Sequence, residues 1–497
     1  MKTQTQKKLR LISLLMLILV SVSMIITSCS DKDDSISGSN PDVTTVANGE
    51  AAVTEEVTEK YYSADVPEGT DFGGYEFRIL VNEVARFVWG DVDVIAPEQN
   101  GEVINDAVYA RNRFVEETLN VVIKPTESAS VSGDLNKVVL AGEDAYDLAF
   151  AHTHGAFDLA QKELLMELSD ISTLELSSDW WDQNSLEGLS VNNKRFMMTG
   201  DIGTMYKKSI GVIMFHKGIL NDYNLDDPYA IMNNKAWTID VMTEMGKKVS
   251  NDVNGDGVYN ENDMYGLLYF CDIMGSALLG SGVKFVTKDA NDIPTMTFYD
   301  EKTQSVVEKL STLLYNEELS YSWSKNGKDE NTTFAMYQNN QALFYYGELH
   351  AVATMRSMDS DFGILPMPMY DTNQENYYHG INPNAAPMVV VPKTITDIDR
   401  SGYILDVMGA SSKNLLTPAY YDITLKGKVT RDEQSSDTLD IVLSTVRYDV
   451  GYLSNWGLTG MCNDLANQFD LDLASRFAKS EPAIIKRMDT MIEKYDY

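Results

Sequence analysis

The sequence predicts an α/β fold in two lobes, each a largely parallel sheet flanked by helices, with a helical C-terminal region. Short apolar strands alternate with segments whose apolar residues recur at helical spacing, which calls for sheets covered on both faces. The part able to fold, from about residue 72 to 497, is too long for one hydrophobic core. Past about residue 393 the pattern is mainly helical, through Tyr420, Tyr421, Arg447 and Trp456.

The first strand is "GGYEFRILVNEV", where Tyr75, Phe77, Ile79 and Val81 share one side at period two. "INDAVYARNRFVEETLNVVIKP" follows, with Ile104, Val108, Val115 and Leu119 on one helical stripe and a short strand from Val121. "AGEDAYDLAFAHTHG" gives an apolar strand over 146–151 that opens into a loop, and "FDLAQKELLMELSDI" reads as a helix. A further strand falls near 210–216. "KAWTIDVMTEMGKKV" reads as a helix capped by Thr238, with Ile239, Met242, Met245 and Val249 facing inward. "TTFAMYQNNQALFYYGELHAVATM" reads as helix, strand and helix start, "DFGILPMPMY" as a strand ending in prolines, and "APMVVVPKTI" as a strand stopped by Pro392.

At the start, Lys2, Lys7, Lys8 and Arg10 precede an apolar run from Leu11 to about Ile26 that is short for a membrane-spanning helix and broken by serines. Residues 1–28 thus read as a signal peptide. Its end, Ile26-Thr27-Ser28-Cys29, resembles a bacterial lipobox, which implies cleavage before Cys29 and a lipid on its sulfur. Residues 29–71, rich in Ser, Asp, Glu, Thr and Gly, bury too little apolar surface to offset their ordering entropy and read as a flexible tether. The expected location is the extracytoplasmic face of a bacterial membrane, held by the lipid.

The formal charge of −34 excludes a nucleic-acid role and repels anionic lipid head groups; it needs no explanation beyond solubility. With Cys29 acylated, Cys271 and Cys462 remain, either as a disulfide or as two separate thiols. No phosphate-binding loop, nucleophile elbow or zinc-protease motif is present in the sequence.

Taken in order, "YDLAFAHTHGAFDLAQKELLMELSDI", "IGVIMFHKGIL", "KAWTIDVMTEMGKKVSNDVNGDGVYNENDMYGL", "QALFYYGEL" and "DFGILPMPMYDTNQENYY" resemble the extracellular solute-binding proteins of ATP-driven (ABC) importers, in the larger carbohydrate-type group. "YYDITLKGKVTRDEQSSDTLDIV" is similar to a C-terminal segment of that group. The resemblance implies a two-lobe periplasmic-binding-protein-like fold that closes on its ligand, with crossings near 199–205, 344–347 and 391. Lobe one would be 72–200 with 346–392, and lobe two 201–345 with 393–497. It also implies a receptor, expected to be monomeric, that performs no chemistry and hands a carbohydrate, an oligosaccharide by expectation, to an importer permease. A receptor for a peptide, polyamine or metal chelate, a surface glycoside hydrolase using two acids, and a surface adhesin are the alternatives.

Ligands of α/β lobes meet the loops after the carboxyl ends of strands. Those loops hold Arg86 and Trp89, then His152, Thr153 and His154, then Asp201, then Glu348; Trp181 and Trp456 are further candidates. Sugars stack their C–H faces on aromatic rings and hydrogen-bond through their hydroxyls to carboxylates, amides and guanidinium groups. Against this, a tryptophan is as readily a packing residue, and Asp201 and Glu348 could cap the helices that follow them. Trp237, beside its helix cap, reads as structural.

"NDVNGDGVYNENDMYG" has the spacing of a calcium loop: Asp252, Asn254, Asp256, Asn260 and Asp263 at positions one, three, five, nine and twelve, the Val258 carbonyl at seven and Gly257 at the turn. Asp263 stands where such loops carry a bidentate Glu. The expectation is a structural calcium ion, a brace rather than a switch; the alternative is a knot of Asx turns.

Overall fold

The computed structural model describes residues 60–83, 93–355, 358–421, 433–468 and 472–496. The signal peptide, Cys29, most of the proposed tether, Arg86 and Trp89 lie outside the described residues.

Two sheets organise the chain. The first has the order β11-β3-β1-β2, from β1 (Tyr75–Asn82), β2 (Val121–Ser128), β3 (Leu148–His152) and β11 (Pro387–Val390). β1 runs parallel to β2 and β3, and β11 is antiparallel to β3. Alternation decides the faces as expected: Phe77, Ile79 and Val81 join one apolar cluster while Leu80 joins the other. Helix Val103–Leu119 turns Ile104, Val108, Val115 and Leu119 inward and packs against helix Ile398–Tyr421.

The second sheet has the order β10-β4-β9-β5-β8, from β4 (Gly211–His216), β5 (Tyr265–Tyr269), β8 (Ser320–Ser322), β9 (Ala342–Glu348) and β10 (Phe362–Leu365). β5 pairs in parallel with β8 and β9, whereas β4 is antiparallel to both β9 and β10, so this sheet is mixed. Every residue of β4, β5 and β9 is buried, as befits near-continuous apolar runs with cover on both faces. A small hairpin, β6 (Val286–Lys288) with β7 (Pro294–Met296), stands apart. Thr238 caps helix Ile239–Lys247 as its sequence predicts, its Oγ1 accepting the Val241 N–H. Trp237 is structural, with Nε1 donating to the Pro366 carbonyl at 3.0 Å.

The expected lobe boundaries need correction. Residues 344–347 are not a crossing: they sit inside β9, and β10 after them also belongs to the second sheet. The chain returns to the first sheet at about 381–386, just before β11. Residues 398–421, expected in lobe two, put Ile404, Leu405 and Met408 into the core of the first sheet. The tether also ends earlier than 71. Tyr62, Ala64 and Val66 pack on that core, and Tyr62 and Asn414 exchange two hydrogen bonds.

The helix expected over "FDLAQKELLMELSDI" closes at Gln161, because Glu163 takes a left-handed φ of 60° and Leu164 N–H returns to the Leu159 carbonyl. The following residues run extended instead, with Leu165 bridging Pro392.

The first crossing, 199–210, is fixed by buried polar groups. Arg111, fully buried, donates to the carbonyls of Ile202 (2.8 Å) and Asp93 (2.6 Å), to Asn112 Oδ1 and to Ser412 Oγ. Asp93 Oδ1 in turn accepts the N–H and hydroxyl of Thr204. Cys271 and Cys462 are both free thiols. No helix among the described residues is long and apolar enough to cross a membrane.

Candidate functional site

β5 and β9 are parallel neighbours, so their carboxyl ends emerge on the same side of the second sheet. Each is followed by an acid at a helix N-terminus: Asp272 before helix Ile273–Gly280, and Glu348 before helix Leu349–Thr354. An acid there ordinarily caps the helix. Neither side chain does so. Both turn instead to the returning crossing, where Asn382 Nδ2 donates to Asp272 Oδ2 at 2.8 Å and to Glu348 Oε1 at 2.7 Å. Asn382 is held by its own N–H on the Ser209 carbonyl and by its Oδ1, which accepts the Asn384 N–H. One amide nitrogen therefore sits between two carboxylates.

The electrostatics follow from burial. Asp272 is pushed up to about 6, first by desolvation and then by the charge of Glu348. His350 lies behind Glu348, its Nδ1 3.5 Å from Glu348 Oε2 and its Nε2 3.3 Å from Glu330 Oε1. Burial disfavours the imidazolium, yet the two carboxylates outweigh it and raise His350 to about 9.

The first sheet contributes the end of β3. Thr153 donates through both N–H and Oγ1 to the Ala386 carbonyl, binding this turn to the same crossing. His152 ends the strand opposite Pro387. His154 is lowered by desolvation, against the opposing pull of Asp158 and Asn384. Asn455, after helix Val450–Leu453, donates to the His154 carbonyl and to Asp158 Oδ1. Beside it, Ser454 Oγ and Trp456 Nε1 are buried and find no hydrogen-bond partner among the described residues. A buried donor left so costs about 1–3 kcal/mol unless water or a guest satisfies it.

Of the nominated residues, His152, His154 and Glu348 thus adjoin one crossing, and Trp456 lies next to the Asn455 that touches His154. Trp181 does not join them: it is a core residue of the first sheet, and its Nε1 donates to Asp406 Oδ1 at 3.0 Å. Asp201 does not either. Its carboxylate takes Lys207 at 3.2 Å, Lys413 at 3.0 Å and Thr417 at 2.6 Å, and these cations hold it below the usual carboxylate range despite burial. Asp272 and Asn382 were missed. Asp272 follows a strand just as Glu348 does, so the same rule would have found it; Asn382 lies in "YYHGINPN", a segment whose backbone features alone point to a hinge.

The loop 252–263 is folded by its own side chains. Asp252 accepts the N–H of Gly255 and of Gly257, Asn254 that of Asp256, and Asp256 that of Val258. Asp263, fully buried, accepts those of Val253 and Asn260. Gly255 and Gly257 hold φ of 73° and 77°, which glycine alone adopts without strain. Among the described residues no three His, Cys, Asp or Glu side chains converge to hold a metal, and this loop is no exception.

No family model matches the sequence, and no curated protein aligns with it. The fold does match solved structures. An ABC substrate-binding protein of Listeria monocytogenes in complex with cycloalternan aligns over 85% of this chain and 100% of its own, at 11% identity and a TM-score of 0.53. UgpB of Mycobacterium tuberculosis with glycerophosphocholine aligns over 85% and 99%, at 12% identity and 0.55. A cyclo/maltodextrin-binding protein with maltotetraose aligns over 85% and 98%, at 11% identity and 0.52. At such identity the likeness is one of fold, and it covers nearly all of each matched chain.

The His350 assignment fixes a pH response. A histidine raised from 6.5 to about 9 contributes stability that is complete below pH 6.5 and lost as pH rises through 9. Unfolding free energies from urea titrations between pH 6 and 10 should fall for the wild type over that window by on the order of 3 kcal/mol more than for His350→Gln. Parallel curves for the two proteins would remove the imidazolium from this site.

Proposed function

We propose that this chain is an extracytoplasmic solute-binding receptor that captures a carbohydrate, an oligosaccharide, between its two lobes and delivers it to an ABC importer without altering it. The observation that carries this reading is the meeting of strand ends from both sheets at one crossing, with two carboxylates that share one amide and two unsatisfied donors near it. A carboxylate offers about four acceptor sites, so Asp272 and Glu348 retain capacity for hydroxyl donors after binding Asn382. Ser454 Oγ and Trp456 Nε1 supply donors in return. Proteins of the same fold are solved with cycloalternan and with maltotetraose, which supports a glycan guest.

Binding rather than hydrolysis is favoured by the same amide. A pair of glycosidase acids must flank a scissile bond, and here Asn382 Nδ2 occupies the space between the two carboxylates. The membrane attachment through a lipid on Cys29 belongs to this reading and rests on the sequence. In cells, Cys29→Ala should move the protein from the membrane fraction to the soluble fraction; retention in membranes would dismiss the anchor.

Calorimetry against neutral oligosaccharides, peptides and polyamines tests the function. Tight reversible binding of a glycan is expected, weakened roughly ten- to a hundredfold by Glu348→Ala or Asp272→Ala, since hydrogen bonds to charged groups contribute about 1.5–3 kcal/mol. Release of shortened sugars, or binding confined to peptides or polyamines, would overturn it.

For the loop we infer a calcium brace. Its residues fit a hard cation in type and order, and each oxygen that accepts one N–H keeps a second lone pair. Asp252, Asn254, Asp256, the Val258 carbonyl, Asn260 and Asp263 would hold the ion once Asn254 Nδ2 gives up Asp256 Oδ2, which it now meets at 3.0 Å. Adding calcium to chelator-treated protein should raise Tm by a few degrees with glycan affinity unchanged. An unmoved Tm leaves the Asx turns as the whole of the loop.

A further inference from the structure

A second cavity, of about 440 Å³, shares no lining residue with the Asp272–Glu348 site. Asn184, Glu187 and Gly188 wall it from the first lobe, and Lys284, Arg447 and Asp449 from the second. The lobes touch closely beside it. A Cβ on Gly188 would lie 2.1 Å from the Tyr448 carbonyl oxygen, and the Tyr448 hydroxyl donates to Asp182 Oδ2 at 2.7 Å.

We propose that this cavity binds an oxyanion, a carboxylate or phosphate group, on the guanidinium of Arg447. The other charges that face the cavity differ from Arg447 in how they are engaged. Asp449 is spent on backbone: its carboxylate accepts the N–H of Phe285, Gly451 and Tyr452. Lys288 is spent as well, on the carbonyls of Glu187 and Ser190 at 2.7 and 2.6 Å and on Asp292 at 3.0 Å. Lys284 and Glu187 are both exposed, on opposite walls of the rim. Arg447 is half-buried, its guanidinium 3.1 Å from the centre of the Tyr378 ring, and it forms no ion pair with any described carboxylate. Burial pulls it below its ordinary value, against the opposing pull of Tyr378 and of the Asp449 charge.

The fork is also held in place. Arg447 N–H donates to the His379 carbonyl at 2.8 Å, and His379 N–H donates to Thr445. The His379 ring, fully buried, is lowered to about 3 by desolvation and so is neutral; its Nε2 accepts the Met367 N–H and its Nδ1 meets Thr445 Oγ1 at 2.9 Å. A planar five-donor group with a fixed stem and an aromatic backing is preorganised for bidentate contact with an oxyanion. Lys284 adds a second positive charge at the rim, and the Asn184 side chain brings an amide from the opposite lobe.

The test uses the mature protein dialysed into chloride, titrated by calorimetry and thermal shift at matched ionic strength. Inorganic phosphate and sulfate form one arm, malonate and glucuronate the other, and the arm that saturates names the source of the oxyanion. Saturable binding is expected, weakened at least tenfold by Arg447→Gln and severalfold by Lys284→Gln, a surface change that leaves the fold alone. Glu348→Ala should leave anion binding unchanged, which separates this site from the glycan reading. No saturation beyond chloride in either arm, or equal affinity in both cavity variants and wild type, overturns the proposal.

Discussion

The arrangement depends on how two carboxylates, Glu348 buried and Asp272 half-buried, are satisfied without a cation in direct contact with both. Asp272 and Glu348 leave neighbouring parallel strands on the same side, and the only amide that bonds both among the described residues is Asn382. An ionised carboxylate removed from water needs hydrogen bonds or counter-charge. That demand fixes where the chain returns from the second sheet to the first. Asn382 must reach both acids, so residues 381–386 pass over the strand ends, and β11 begins directly afterwards beside β3. His350 completes the balance from behind, between Glu330 and Glu348. The crossing, the strand ends and the polar site are consequences of one local requirement.

Local patterning made most elements legible. Period two placed Phe77, Ile79 and Val81 on one face, and helical spacing put Ile104, Val108, Val115 and Leu119 inside. Sheet membership was not legible in the same way. An apolar run such as that of β9 looks alike whichever sheet receives it, because its partners are set by pairing with β4 and β5, far away in sequence. Helix 398–421 was misplaced for a related reason: its apolar stripe says that it packs, while Ile404 and Met408 find their cover only in three dimensions. The short helix ending at Gln161 shows the limit of periodicity itself, since a left-handed Glu163 broke a pattern that continued in the sequence.

The site was legible to the extent that strand ends were. His152, His154 and Glu348 came from that rule and do adjoin one crossing, whereas aromatic residues nominated by type alone divided. Trp181 satisfied its indole on Asp406 within the core. Trp456 is equally buried yet has no acceptor. Burial therefore does not separate the two; hydrogen-bond completion does, and no sequence pattern encodes it.

The same distinction separates the nominated acids. Asp201 follows a strand-like segment as Glu348 follows β9, and both are largely removed from water. Asp201 meets two ammonium groups and a hydroxyl, so its acceptor capacity is used and its charge is stabilised. It is a tie between the first crossing and helix 398–421. Glu348 and Asp272 share one amide hydrogen-bond donor, beside the Cys271 thiol at Asp272 and His350 at Glu348, and desolvation with the neighbouring Glu348 charge raises Asp272 to about 6. A group that the fold leaves short of donors, at a place where two sheets meet, is stabilised by a guest that brings hydroxyls. A group that the fold has saturated gains nothing from one.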